Sequence, residues 1–83
     1  MDKKTLNERV SWLVNTSVQD LHSSLHFYNS KSADDMEILK SALATCKRRG
    51  EKTKAKLLDS KMRKMERDAA KERRLRLIQQ AYD

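Results

Sequence analysis

The sequence has no proline, one glycine (Gly50), one cysteine (Cys46) and only 5% aromatic residues. Without proline and glycine it lacks the means to build the tight turns of β-sandwiches and barrels, the glycine loops that cradle nucleotide phosphates, or collagen-like and linker repeats. A single cysteine excludes an intramolecular disulfide and a cysteine-rich zinc site. No apolar run approaches the roughly 18 residues that a membrane-spanning helix requires. Met1 to Val14 carry Arg9 inside their only apolar patch, so no secretory leader is expected. These absences predict a cytoplasmic chain without a membrane span.

What is present is 83 residues, 37% of them charged, with a mean hydropathy of −0.92. That length holds one small domain, and a chain this short hides a modest share of its surface. The expected fold is all-α, a single domain over 1–83, with a near-neutral apolar head at 1–46 and a long basic helix at 47–83.

Thr5 and Glu8 have capping-box spacing and predict a first helix from about Leu6. Leu6, Val10, Leu13, Val14, Val18, Leu21, Leu25 and Tyr28 recur every three or four residues and place one stripe along a continuous helix. Trp12 and Phe27 fall beside it, where aromatics usually close a core edge. Asn29 to Ser32 interrupt the pattern, and Ser32 with Asp35 repeats the capping signature. Met36, Leu39, Leu43 and Cys46 then mark a second helix, ended by Gly50. From Glu51 to Tyr82 no breaker occurs, which predicts a third helix nearly 50 Å long at about 1.5 Å per residue.

Charge is divided unevenly. Residues 1–46 carry a net of −1, whereas residues 47–77 carry fourteen basic and five acidic side chains, a net of +9. Such an excess exceeds what solubility needs and matches a polyanion, nucleic acid first. The expected phosphate contacts are Lys47, Arg48, Arg49, Lys52, Lys56, Arg63, Lys64, Arg67 and Arg74.

Ala55, Leu58, Met62, Met65 and Ala69 alternate at the a and d spacing of a coiled coil. In a parallel dimer this register pairs Lys54 with Asp59, Lys61 with Glu66 and Asp68 with Arg73. The same residues suit an intramolecular three-helix packing, and a mixture is expected: Leu57, Leu58 and Met62 against the second helix, the remainder between two copies. Leu75, Leu77, Ile78 and Tyr82 form a further apolar cluster for a partner.

No catalytic constellation emerges. His22 and His26 share a helix face but lack further metal ligands, Cys46 lies on an apolar stripe, and Asp34 and Asp35 suit the positive end of a helix dipole. The stretch around Gly50 has helix-turn-helix order, yet the helix after it far exceeds a recognition helix in length. No metal or cofactor is expected. The leading expectation is a non-enzymatic nucleic-acid-binding regulator, homodimeric, of slight sequence specificity and leaning to RNA. The alternative is a protein-interaction module: an adaptor, antitoxin-like or inhibitor protein of a mobile element or phage. Its basic helix would dock on an acidic or nucleic-acid-binding surface, anchored by Trp12, Phe27, Leu75, Ile78 and Tyr82.

Overall fold

Three short polar side chains decide where helices begin. Asp2 accepts a hydrogen bond from the Thr5 backbone N–H at 2.8 Å, Ser17 from Asp20 at 3.2 Å, and Ser32 from Asp35 at 3.3 Å. Each satisfies a donor that the first turn of a helix leaves unpaired. The computed structural model describes residues 2–82, with side chains through residue 80. Its described residues form α1 (Lys3–Asn15), α2 (Val18–Ser24), a 3-10 turn (Leu25–Phe27), α3 (Ala33–Arg49) and α4 (Lys52–Tyr82). The all-α expectation holds, with four α-helices in place of three. None is long and apolar enough to cross a membrane, among the described residues.

The continuous first helix requires correction. It starts at Lys3, capped by Asp2 in place of Thr5, and it ends at Asn15. Thr16 and Ser17 are extended, with ψ of 169° and 159°, before α2 begins. This break lets one apolar stripe cover two helices. Leu13 and Val14 bury as α1 packs on α3, whereas Leu21 buries as α2 packs on α4.

The second and third expected helices are α3 and α4. Gly50 caps α3 at φ 73°, in the left-handed region, and its N–H donates to the Lys47 carbonyl at 3.2 Å. A Cβ added there would meet no atom within 4 Å, so Gly50→Ala tests backbone strain without a clash. We expect it to cost about 1 kcal/mol, read as a lower urea midpoint at unchanged slope.

The core comprises Leu13, Val14, Leu21, Leu25, Ile38, Leu39, Ala42, Cys46, Leu58 and Met65, at most 5% exposed. Of the expected dimer seam, Leu58 and Met65 are buried in the chain's own core, and Ala55 and Met62 pack partly against it. A second copy reaching Leu58 would have to lift α4 off α3. Lys54 is likewise engaged within the chain: its Nζ donates to the Val14 carbonyl at 2.7 Å and lies 3.7 Å from the Glu51 carboxylate. It therefore satisfies one of the carbonyls that the end of α1 leaves open. Burial first, then the nearby Glu51 carboxylate, pushes the Cys46 thiol above its usual range.

The molecule measures 49 × 27 × 21 Å. Its radius of gyration, 14.8 Å, exceeds the roughly 12 Å of a compact chain of this length. Helix α4 sets the long axis. A Lys31–Glu72 ion pair at 3.3 Å ties it to the body, and beyond that pair Leu75, Leu77 and Ile78 are more than half exposed. The Tyr82 side chain lies outside the described residues.

Candidate nucleic-acid interface

The interface can be built from the period of α4. Successive residues turn by about 100°, so the buried positions Leu58 and Met65 fix the inward direction, and every other side chain follows. The third of the circumference facing directly away carries Lys52, Lys56, Arg63, Arg67, Lys71 and Arg74, and no carboxylate; Lys64 and Asp59 lie just outside it, each about 70° from the outward direction, on opposite edges. All six are exposed, as is Lys64. The stripe from Lys52 to Arg74 runs about 33 Å at 1.5 Å per residue.

The carboxylates of α4 fall to the sides. Asp59 pairs with Arg63 at 3.1 Å, and Glu72 is held by Lys31. Glu66 and Asp68 are exposed on opposite flanks. A rod with cations on its outward face and carboxylates at its edges presents one sign of charge to a polyanion laid along it.

The basic trio extends this stripe around the turn at Gly50. Lys47, Arg48 and Arg49 occupy the last turn of α3 and are exposed, where cations also offset the negative end of the helix dipole. Arg48 donates to the Thr45 hydroxyl at 3.3 Å, and Arg49 donates to the Asn15 side-chain oxygen at 3.0 Å. Arg49 thus ties α3 to the end of α1 as well as bearing charge.

All nine expected phosphate contacts are exposed, and five of them share the outward face with Lys71: Lys52, Lys56, Arg63, Arg67 and Arg74. Lys71, absent from the expected contacts, was legible from its step of four residues after Arg67.

A second surface feature departs from expectation. Trp12 is 51% and Phe27 86% exposed, so neither closes the core edge. With Arg9, Ser24, Tyr28 and Asp35 they line a cleft of about 260 Å³. No cluster of three or more metal-ligating side chains occurs among the described residues. No protein-family model, curated protein or solved structure matches the chain.

Proposed function

We propose that this is a non-enzymatic protein that binds nucleic acid through phosphates, with the outward face of α4 lying along the backbone and Lys47, Arg48 and Arg49 extending the contact. The observation that supports this reading is the stripe of six exposed cations without a carboxylate among them. Cations at this spacing neutralise phosphates and release condensed counterions, a driving force indifferent to sequence. No aromatic side chain lies on that face through residue 80, so base stacking contributes nothing there. The protein would act as a regulator by covering the strand it occupies, on RNA in preference to DNA, where shape and charge set the choice.

A salt titration against unrelated RNA and DNA duplexes and single strands tests the reading. About five phosphate contacts predict a log–log slope near −4.5 on duplexes, similar across sequences. No binding at low salt would sink it. Sedimentation at the same concentrations reads whether two copies bind together. Their contact would run through Leu75 and Ile78, which one chain leaves exposed.

The exposed Trp12 and Phe27 favour a second reading, a protein-interaction module, because aromatic residues carry much of the energy of interfaces. In that case Trp12→Ala with Phe27→Ala would abolish association with the partner and leave nucleic-acid binding untouched.

A further inference from the structure

The break between α1 and α2 has a second effect. It carries the two histidines of the chain onto α4, at the edge of the basic stripe. There His22, His26, Ser60, Lys61 and Lys64 converge on a groove of about 210 Å³ with Leu25 and Leu57 as its apolar wall. The imidazole rings stand edge to face, their centroids 5.9 Å apart.

The donor set identifies the ligand. Two ammonium groups, two imidazoles and a hydroxyl offer cationic or hydrogen-donating atoms, and no carboxylate lines the groove. Asp20 lies two residues before His22, about 160° around α2, and Asp68 lies on α4 one turn beyond Lys64. A metal ion has too few partners, since no third ligating side chain joins the histidines among the described residues. A phosphate oxygen cluster suits the set, and Lys64, which lines the groove, stands at the edge of the outward stripe.

We propose that the α2–α4 groove is a phosphate subsite, holding one backbone phosphate of the bound nucleic acid on His22, His26, Lys61 and Lys64. The proposal rests on the nucleic-acid reading above and adds proton linkage to it. Imidazole changes charge between about pH 5 and 8, and a phosphate beside it favours the protonated form. Binding therefore takes up protons, whereas the lysines and arginines of the stripe respond to salt alone.

The test compares wild type with the double variant His22→Gln, His26→Gln on the duplexes of the salt titration, at about pH 5.5 and about pH 8. Wild type is expected to bind about tenfold more tightly at the lower pH. The double variant should lose that gain, and its salt slope at pH 8 should match that of wild type. Both histidines are exposed, so unchanged thermal melting is expected to accompany the loss. As an arm free of nucleic acid, the two imidazole proton resonances are followed by NMR against inorganic phosphate, where both should shift together in wild type. Equal tightening in wild type and variant, or wild-type binding indifferent to pH, would overturn the groove and leave the stripe standing. Failure of both proteins to bind at low salt would overturn the stripe and the groove together.

Discussion

Replacing Arg63, Arg67 and Arg74 together by alanine should weaken duplex binding about a hundredfold at low salt, equally for unrelated sequences. Each phosphate contact contributes roughly 0.9 to the slope of log affinity against log salt, so the triple variant should be flatter by about 3. About 1 kcal/mol per lost contact gives the hundredfold figure. Removing Arg63 also frees Asp59, its partner at 3.1 Å, to repel phosphate at the edge of the stripe. Lys3→Ala, Lys4→Ala and Lys40→Ala remove the same charge from exposed positions on α1 and α3. That control separates a built stripe from net charge. If the two triple variants lost affinity equally, placement on α4 would have no significance.

Leu58→Ala should remove about 3 kcal/mol of stability, the largest single effect expected on folding. Leu58 is fully buried, and truncating a buried leucine forfeits its transfer energy and leaves a cavity. A chain of this length commonly holds about 4–12 kcal/mol in all, so the loss is severe. Leu77→Ala on the same helix is the matched comparison. Leu77 is 66% exposed, and its truncation should shift the urea midpoint by less than about 0.5 kcal/mol equivalent. Similar losses at the two positions would mean that the end of α4 is covered as well.

The contrast between these leucines shows what sequence could and could not convey. Helices α3 and α4 were legible because their boundaries are chemical: Ser32 caps one start, and Gly50 stops the chain where only a left-handed residue fits. The break at Thr16 and Ser17 was hidden by the step from Val14 to Val18, which is four residues whether the backbone between them is helical or extended. Ser17 followed by Asp20 did carry a capping signature inside the stripe. The heptad-like run on α4 was ambiguous for another reason. An apolar seam of Ala55, Leu58, Met62 and Met65 specifies that a helix must cover it, not which chain supplies the helix.

The basic stripe was largely readable, since periodicity alone sets its members on one face once the buried side is known. The histidine groove was not. Its two sides are brought together by α2 folding back on α4, a contact that depends on the hidden break. Trp12 and Phe27 escaped for the same reason: a stripe read along one continuous helix puts both beside the core, whereas the break brings α1 and the 3-10 turn together with both rings exposed at one cleft.

Cys46 supplies the molecule with an internal clock. Its sulfur is sealed in the interface of α3 with its neighbours, and the folded state favours the neutral thiol. Stability drawn from that preference is full below the unfolded thiol pKa of about 8.5 and is lost as pH rises through the higher folded value. An alkylating reagent can then reach the thiolate only when the core around α3 opens. As Cys46 is the only cysteine, the rate of modification counts those openings directly, without a label. Under the proposed function, nucleic acid along the outward face of α4 would leave the thiol itself untouched, so any slowing of modification on binding would measure how far occupation of α4 holds the core closed.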